Sequence, residues 1–402
     1  MTTLPELLEA LDKAEKDVVS GNLRIDTPLL EVEGLRYLSR MFSAGELTQI
    51  EAGDPAYPQL VPFVSTWITW GGTNPDSDYL YATVSPEYTY RLRGRRGAVH
   101  LLAFETFAGD FYDMARIAAC DMRLDVAGGP GNIEFGPDGT FEIVLSASPP
   151  DGDPGSGNWL RIPDVPGHLL VRYCWYAWDE PDRPWVTIVR DGATYPPPLP
   201  TVPALEERLE RFAGFLRQGP QMCALAAAMY FSRDPGAIAF PPWSLHGDTD
   251  LDHQLSFQDQ LYGQSHFNLG PDQALLLEVA LPASPYWSVN LSSPYLENTD
   301  WHLRQNSING HQAVVDADGV FRAVVSSADP GVPNWLDTGG QATGIIQSRF
   351  LLPSAPPDIG LRTVPLAEVR SALPAATPVV TPAARHGAVL RRVLAVQRRA
   401  QR

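Results

Sequence analysis

A long internal repeat constrains this chain more than any other feature. Residues 138–160 read DGTFEIVLSASPPDGDPGSGNWL, and residues 318–336 read DGVFRAVVSSADPGVPNWL. Each copy has Asp-Gly, an alternating apolar run, a serine, a loop rich in proline and glycine, and then Asn-Trp-Leu. The offset is 180 at the Asp-Gly pairs and 176 at the Asn-Trp pairs, so the second loop is four residues shorter. The repeat predicts two related β modules in one chain.

The composition and net charge limit which classes of protein this chain can belong to. At 402 residues the chain is too long for one core, so two or three domains are expected. Hydrophobic residues make up 44%, which is ample for packed interiors. The net charge of −17 would repel nucleic-acid phosphates, so no nucleic-acid partner is expected. Three cysteines are odd in number and widely spaced, which fits a reducing compartment.

The hydropathy of the chain bears on its location. The first residues, MTTLPELLEALDKAEKD, are acidic and amphipathic, unlike a secretory signal. No apolar run approaches the roughly 18 residues that span a bilayer. We therefore expect a cytoplasmic protein with no membrane partner.

The C-terminal stretch RHGAVLRRVLAVQRRAQR is a helix candidate with two interpretations. It is either a helix that binds a partner or a membrane surface, or a docked or frayed terminal helix whose arginines interact favourably with the acidic body of the protein.

The spacing of apolar residues predicts an α+β chain that is mainly β. Thr27 and Pro28 form a helix cap and a first helical residue, and this helix is predicted to run to about residue 50. Alternating runs between closely spaced turn signals are typical of sandwiches and jelly rolls. We expect two repeat-related antiparallel β-sandwich, jelly-roll-like modules with a helical N-terminus, a helical connector and a C-terminal helix. The predicted segments are the helical start 1–60, the first module 61–193, the connector 194–262, the second module 263–357 and the helical tail 358–402.

The connector begins with the proline-rich stretch TYPPPLPTVP at 194–203. Behind it, Leu205, Leu209, Phe212 and Leu216 form one stripe of a predicted helix. A second helix is predicted at about 221–231. Its sequence is apolar nearly all round, so we expect it to be buried.

Several stretches resemble a bacterial family known as domain of unknown function twelve-fourteen. They are PGVPNWLDTGGQATGIIQSRFLLP in the second copy, GNWLRIPDVPGHLLVRYCWYAWDEP in the first, and GGTNPDSDYLYATVSPEYTYRLRG at the opening of the β region. The resemblance covers roughly residues 70–190 and 290–353. It implies β-sandwich, jelly-roll-like modules with helical additions, and it implies no particular reaction. The strand after the first Asn-Trp-Leu is aromatic and charged, whereas its counterpart is aliphatic, so one copy is expected to be structural and the other to hold a site.

The first candidate site lies on a strand predicted from Leu170 to Trp178. Alternation along this strand places four side chains on one face, namely Arg172, Cys174, Tyr176 and Trp178. An arginine between aromatic rings can anchor a carboxylate, a phosphate or a sugar hydroxyl. The alternative is that Arg172 pairs with a nearby carboxylate and the aromatic side chains belong to the core.

The second candidate site lies on a polar stretch, NTDWHLRQNSINGHQ, at 298–312. Read as a strand, it places Asp300, His302, Arg304 and Asn306 on one face, with Trp301 opposite. Asp300 could orient the His302 ring and raise its basicity, as a general base requires. Arg304 would then stabilise a developing oxyanion. The alternative is a solvated outer sheet face.

Metal and cofactor chemistry have weaker signals. His246, Asp248, Asp250, Asp252 and His253 lie within one loop, which turn chemistry explains as well as metal binding does. Glycine-rich phosphate loops, the Gly-x-Ser-x-Gly elbow and Cys-x-x-Cys pairs do not occur in the sequence. The only lysines, Lys13 and Lys16, lie on an exposed-looking helix, which disfavours pyridoxal phosphate. We therefore predict no metal and no cofactor.

Two functional hypotheses remain open. The first is an enzyme of lyase, isomerase or hydrolase type that acts by acid/base chemistry on a small polyhydroxylated or cyclic molecule. In it His302, Asp300 and Arg304 are catalytic, and the substrate contacts are Arg172, Tyr176, Trp178, Trp301 and Asn306. The second hypothesis is a non-catalytic carbohydrate-binding, ligand-binding or assembly protein. A small-molecule ligand is expected in either case, and homo-oligomerisation is compatible with both.

Overall fold

The computed structural model describes residues 4–22, 27–113, 116–150, 152, 157–236, 238, 260–298 and 300–401. The chain divides into two units. Unit 1 comprises Met1–Ile68, Ser77–Trp175 and Glu180–Met222. Unit 2 comprises Thr69–Asp76, Tyr176–Asp179 and Cys223–Arg402. Two short segments from the first half of the chain therefore belong to unit 2, and both matter for the site described below. The five predicted segment boundaries stay predictions.

The N-terminal segment of unit 1 is helical. Helix α1 (Leu4–Ala14) continues into a π-helical segment (Glu15–Asn22), and α2 (Pro28–Gly45) continues into a second one (Glu46–Glu51). The Thr27 hydroxyl accepts the Leu30 N–H at 3.2 Å, and Pro28 occupies the first turn. The predicted start of this helix is thus confirmed by the cap that fixes it.

The β strands of unit 1 form two sheets. One has the order β1-β2-β8-β4-β5, and the other has the order β7-β6-β3-β9. The strands are β1 (Val61–Val64), β2 (Ser77–Val84), β3 (Tyr90–Arg95), β4 (Leu101–Ala108), β5 (Ala118–Val126), β6 (Thr140–Ser146), β7 (Trp159–Arg161), β8 (Gly167–Cys174) and β9 (Trp185–Arg190).

The two helices predicted between about residues 205 and 231 form one continuous helix in the structure. Helix α3 (Val202–Phe231) runs through Pro220 without a break. Proline inside a helix costs about 3 kcal/mol. Buried apolar side chains lie on both sides of it, with Phe215 and Leu216 before it and Ala224 and Ala227 after it, so continued packing offsets that cost. The later part of α3 is not buried all round, because Leu225 is 59% exposed.

The β strands of unit 2 also form two sheets, with the orders β10-β16-β12-β13 and β15-β14-β11-β17. The strands are β10 (Gln260–Asn268), β11 (Gln273–Ala280), β12 (Tyr286–Ser292), β13 (Ser307–Asn309), β14 (Val320–Ser326), β15 (Trp335–Asp337), β16 (Thr343–Leu351) and β17 (Ile359–Pro365). A 3₁₀ turn (Leu366–Glu368), a short helix α4 (Val369–Ala372) and a terminal helix α5 (Pro382–Ala400) follow.

The two sets of strands have the same topology. The order β2-β8-β4-β5 in unit 1 corresponds to β10-β16-β12-β13 in unit 2, and β7-β6-β3-β9 corresponds to β15-β14-β11-β17. All pairings are antiparallel except β6 with β7 and β14 with β15, which are parallel in both modules. In unit 2, one apolar core joins both sheets through residues such as Phe321 and Phe350. The chain is therefore mainly β, with two repeat-related sandwich modules and helical additions, as predicted.

The Asn-Trp-Leu signature has a structural role in each module. The Asn334 side chain bonds the backbone N–H and carbonyl of Val314 at 2.9 and 2.6 Å, and Asn158 bonds the same two groups of Glu134 at 2.7 and 2.8 Å. The following tryptophan pairs with the preceding strand in the same parallel register, Trp335 opposite Val324 and Trp159 opposite Val144. The repeated sequence thus ties a loop and a short parallel strand to the sheet.

Candidate functional site

The strand predicted from Leu170 to Trp178 ends earlier in the structure. Strand β8 stops at Cys174, so alternation holds for Arg172 and Cys174 and not for Tyr176 and Trp178. Beyond β8, indole N–H groups make tertiary hydrogen bonds to aspartates. Trp175 Nε1 donates to Asp78 at 2.7 Å in unit 1, and Trp178 Nε1 donates to Asp76 at 2.7 Å in unit 2. These long-range hydrogen bonds, and not the alternation, fix where the side chains point.

Arg172 makes internal contacts within unit 1. Its guanidinium pairs with Glu105 at 2.9 Å and lies 5.2 Å from the centre of the Tyr79 ring. Burial raises the pKa of Glu105, and the Arg172 charge opposes that rise. Strand register places Arg349 of β16 in the position of Arg172, since each lies opposite a tyrosine of the neighbouring strand. The arginine over tyrosine is therefore a feature of both modules.

The equivalent arginine site in unit 2 has no carboxylate at the position of Glu105. Arg349 lies 5.9 Å from the centre of the Tyr262 ring, as Arg172 does over Tyr79. Its guanidinium donates to the Asn290 side chain, at the position that Glu105 occupies in unit 1, and to the carbonyl of Gly72. An amide has replaced the acid, so the second copy of this arginine site holds no ion pair with that neighbour.

The stretch 298–312 is mostly turn, which corrects the strand predicted there. Of the described residues in this stretch, β13 (Ser307–Asn309) forms the one strand. Asp300 has a φ of 47°, and its carbonyl accepts the N–H groups of Leu303 at 2.8 Å and Arg304 at 3.0 Å. This turn breaks the alternation that would place Asp300, His302, Arg304 and Asn306 on one face. Arg304 instead forms an ion pair with Asp337 at 3.1 Å. The catalytic roles of these residues stay predictions.

A buried carboxylate of unit 2 gathers several of the predicted aromatic residues. Asp76 is 2% exposed and accepts hydrogen bonds from Tyr286 Oη at 2.6 Å, Trp178 Nε1 at 2.7 Å and Asn309 Nδ2 at 2.9 Å. The Trp301 ring meets the Trp178 ring edge to face, with centroids 5.3 Å apart. We name this group, Asp76, Trp178, Trp301, Tyr286 and Asn309, the Asp76 cage.

Tyr176 lies beside the Asp76 cage. Its ring is 5.4 Å from that of Tyr286, and its carbonyl accepts the second Asn309 amide bond at 3.1 Å. A Cβ on Gly310 would fall 1.8 Å from Tyr176 Oη, so glycine is required for this packing. The structure thus brings Tyr176, Trp178 and Trp301 together, while Arg172 lies in unit 1.

Two guanidiniums of α5 cover the tryptophans of the Asp76 cage. Arg392 lies 4.1 Å from the centre of the Trp178 ring, and Arg399 lies 4.9 Å from that of Trp301. Burial raises the pKa of Asp76, while its hydrogen bonds and the Arg399 charge oppose the rise. Burial also lowers the pKa of Arg392, although the guanidinium remains protonated near neutral pH. Sequence reasoning missed Asp76, Arg392 and Arg399, although the quoted motif GGTNPD contains Asp76 and the two arginines are seven residues apart.

A second titratable group lies on the β2-β8-β4 face of unit 1. His168 is fully buried, and its Nδ1 lies 3.0 Å from the carbonyl of Gly109, to which Nδ1–H donates. Its ring stacks on Phe107 at 4.9 Å and on Tyr81 at 5.3 Å. Burial lowers the pKa of His168, so the imidazole is neutral in the folded protein. The Tyr81 hydroxyl donates to Asp110, and burial raises the pKa of that tyrosine well above its usual value.

The outer face of the β7-β6-β3-β9 sheet in unit 1 holds an open groove of about 630 Å³. Its most prominent side chain is Trp185, which is 48% exposed at the start of the edge strand β9. Charged, aromatic and amide side chains complete the lining, namely Arg93, Glu134, Phe135, Thr140, Phe141, Glu142 and Asn158. This groove combines an accessible aromatic ring with hydrogen-bonding groups.

Arg93 and Glu142 of this groove are paired with each other, and the neighbouring Arg91 is paired as well. Arg93 Nε donates to Glu142 at 2.6 Å, and Arg91 donates to the other oxygen of Glu142 at 2.5 Å. The Arg93 bond is the main reason that the pKa of Glu142 lies below its usual value. Arg91 also pairs with Asp191 at 3.0 Å. The groove therefore presents fixed donors and acceptors with little net charge.

The corresponding face of unit 2 is closed by the chain itself. Register places Leu276 where unit 1 has Arg91, and Leu276 is buried in an apolar cluster with Val369 and Leu373 from the α4 region. The Arg93–Glu142 pair has a counterpart in unit 2, Glu278 with Arg322 at 2.8 Å, in which the acid and the arginine have exchanged strands. The ion pair thus belongs to the repeat, whereas the open, aromatic-lined face occurs on the first module.

Within the described residues, no group of three or more histidine, cysteine, aspartate or glutamate side chains could hold a metal ion. The acidic loop that contains His246, Asp248, Asp250, Asp252 and His253 lies outside those residues. Across the described helices, none is long and apolar enough to cross a bilayer.

The fold and the two sites define a duplicated β-sandwich protein with one open and one covered outer face. Residues 262–355, in the second module, match the family described as "Protein of unknown function (DUF1214)". The resemblance predicted from the sequence is thereby confirmed for this part of the chain.

The chain is also similar to solved structures. An uncharacterised protein from Burkholderia cenocepacia is 29% identical, with a TM-score of 0.82, over 91% of this chain and 97% of that chain. A protein from Vibrio parahaemolyticus is 13% identical, with a TM-score of 0.45, over 88% of this chain and 100% of that chain. No protein among those with curated descriptions matches the sequence.

Proposed function

We propose that this protein binds a neutral, polyhydroxylated ligand of the carbohydrate type in the Trp185 groove of the first module. The observation that supports this function is the half-exposed Trp185 beside the paired Arg93 and Glu142 side chains. A sugar ring has an apolar face that packs on an indole. Its hydroxyl groups form hydrogen bonds with planar donor and acceptor groups such as a guanidinium and a carboxylate.

Charge favours a neutral ligand over an anionic one. Each arginine near the groove already has a carboxylate partner, with Arg93 on Glu142 and Arg91 on Glu142 and Asp191. Glu134 adds a further negative charge to the lining. An acidic sugar would have to compete with carboxylates that are already in place, whereas hydroxyl groups can share the remaining donors.

The contrast between the modules supports the choice of site. Part of the same face of the second module is apolar and covered by the α4 region, and the rest carries the Glu278–Arg322 ion pair. The first module has no such cover over Arg91 and presents the half-exposed Trp185 ring on this face. This is the divergence expected when one copy of a repeat is structural and the other binds.

The test is binding to immobilised neutral oligosaccharides, with cello-, xylo-, malto- and chito-oligosaccharides as probes and uronic-acid oligomers as comparators. Trp185→Ala should weaken binding by about tenfold or more, because stacking on an indole contributes about 1 kcal/mol beyond the area it buries. Trp67→Ala is the matched control, since Trp67 is a 60% exposed tryptophan of the same unit outside the groove. Equal binding by both variants, or no retention of the wild type on any neutral probe, would contradict the proposal.

We propose acid/base catalysis on a small polyhydroxylated or cyclic molecule as the second candidate function. The buried carboxylate of Asp76, whose pKa is raised, favours it, because catalytic acids are commonly tuned in this way. His302 stays the predicted base, with Asp300 predicted to orient its ring and Arg304 predicted to stabilise a developing oxyanion. In a screen for lyase, isomerase and hydrolase turnover, His302→Ala should abolish an activity that the wild type shows, without unfolding. Full activity in that variant would rule out the assignment to His302.

A further inference from the structure

Helix α5 packs against the rest of unit 2 through its arginine side chains. Arg385, Arg392 and Arg399 are seven residues apart, which places them along one face of the helix. Each lies over a tryptophan, with Arg385 5.1 Å from the centre of the Trp335 ring. The leucines of the helix point the other way, since Leu390 is 47% exposed. This arrangement is the reverse of an ordinary amphipathic helix, in which apolar side chains face the protein.

The Asp76 cage supplies what a guanidinium needs. Arg392 Nε donates to the Trp301 carbonyl at 2.6 Å, and its other nitrogens donate to the carbonyl and hydroxyl of Ser307 at 3.2 and 2.5 Å. Arg399 donates to the Pro75 carbonyl at 2.8 Å. Aromatic faces, backbone carbonyls and the buried side chain of Asp76 thus surround the planar guanidinium groups of Arg392 and Arg399. A lysine ammonium cannot match this planar set of donors.

Hydrophobic burial contributes little to this docking. The buried apolar side chains of α5 are Ala395 and Val396, which are both small. The helix is joined to α4 through Leu373–Thr381, a segment that contains Pro374 and Pro378 and no helix or strand. The attachment therefore depends mainly on recognition of guanidinium groups.

We propose that the Asp76 cage is an arginine-recognition site, and that it accepts the C-terminal helix of a second copy of this chain as well as its own. Exchange between identical copies preserves every contact of the docked helix, so it costs little beyond association. The segment Leu373–Thr381 is itself attached to unit 2 by the buried Leu373 side chain and by the Val380 N–H bond to the Gly331 carbonyl, so exchange has to release the Val380 bond as well as the helix. The chain's own helix competes at an effective concentration on the order of millimolar, so exchange is favoured at high protein concentration or when the chain's own helix is loosened.

The first test uses the full chain with Arg392→Ala and Arg399→Ala, which loosens α5, and a synthetic peptide of residues 381–401. The wild-type peptide should bind this variant, and a peptide with Arg391→Ala should bind equally, because Arg391 is exposed on the same helix. Peptides with Arg392→Lys and Arg399→Lys should bind at least about tenfold more weakly, which corresponds to the loss of planar donors.

Equal affinity for the lysine and arginine peptides would overturn arginine recognition. So would unchanged amide hydrogen exchange across residues 382–400 in the full-length alanine variant, because the arginines would then not hold the helix. Circular dichroism, with the Arg391→Ala full chain as control, shows whether each variant is folded. If the alanine variant does not fold, the corresponding full-length lysine variant is the host for the same peptide series.

The second test measures exchange between copies by size-exclusion chromatography with light scattering across protein concentrations. The wild type and the Arg391→Ala chain should form a dimer at high concentration, and the Arg392→Ala, Arg399→Ala chain should not. A wild type that stays monomeric, or a dimer that persists in the second variant, would overturn the part of the proposal that concerns a second copy.

Discussion

The repeated Asn-Trp-Leu signature allows a matched pair of substitutions, Asn334→Ala and Asn158→Ala. Asn334 is 7% exposed, and its side chain makes three backbone hydrogen bonds, two to Val314 and one to the carbonyl of Arg322 at 2.8 Å. Asn158 makes two, both to Glu134, and is more accessible to water. The same sequence motif thus has a different energetic weight in each module.

The magnitudes follow from these bonds. A neutral hydrogen bond contributes about 0.5–1.5 kcal/mol net, and a buried group left without its partner costs about 1–3 kcal/mol. Asn334→Ala should therefore lower the free energy of unfolding of the second module by about 2–4 kcal/mol. Asn158→Ala should cost about 1 kcal/mol, because water can replace its bonds. For a unit of this size, at about 2–4 °C per kcal/mol, the two losses correspond to falls in melting temperature of roughly 4–16 °C and 2–4 °C.

Urea denaturation followed by tryptophan fluorescence measures both changes, and amide hydrogen exchange assigns each loss to its module. The reasoning would be refuted if Asn158→Ala cost as much as Asn334→Ala, or if exchange near Val314 were unchanged in the Asn334 variant. Asn334→Asp is a useful companion variant, because it keeps the acceptor for the Val314 N–H and removes both donors.

Three further predictions concern packing and pH. Gly310→Ala should lower the free energy of unfolding by about 1–3 kcal/mol, because its Cβ would meet Tyr176 Oη, whereas Gly360→Ala, with nothing within 4 Å, should change it little in the same thermal melts. Burial raises the pKa of Asp76, so between its unfolded and folded pKa the folded chain holds a proton that the unfolded chain has lost, and stability falls as pH rises through this range from about 4 upward. Asp76→Asn should remove that slope in urea midpoints measured from pH 4 to 8, and parallel profiles would contradict it. Burial lowers the pKa of His168, so stability should fall as pH drops below about 6.5, and His168→Gln should flatten that fall.

Local patterns in the sequence predicted several elements correctly. Thr27 and Pro28 mark the start of α2 because capping depends on neighbouring residues alone. The alternating runs and the repeat predicted two related sandwich modules, and the strand orders of the two modules agree. The terminal helix was also predicted, and of its two interpretations the structure shows docking on unit 2.

Predictions that required a strand to continue were less successful. Alternation was extended past Cys174 to Trp178 and applied to the turn at Asp300, because polar and aromatic residues in turns can mimic a strand pattern. The contacts that end these strands come from distant residues. Asp76 meets Trp178, Tyr286 and Asn309 across separations of 102, 210 and 233 residues.

The sequence alone determined the β content, the duplication and the helical ends, because these depend on periodicity, caps and repeated segments that lie close together in the chain. The tertiary structure decided which face of each module is open and which residues surround Asp76. Both depend on segments far apart in sequence, such as the α4 region over β11 and the arginines of α5 over Trp178 and Trp301. No local pattern encodes such pairings, because a buried carboxylate and an exposed one look alike until the chain has folded around them.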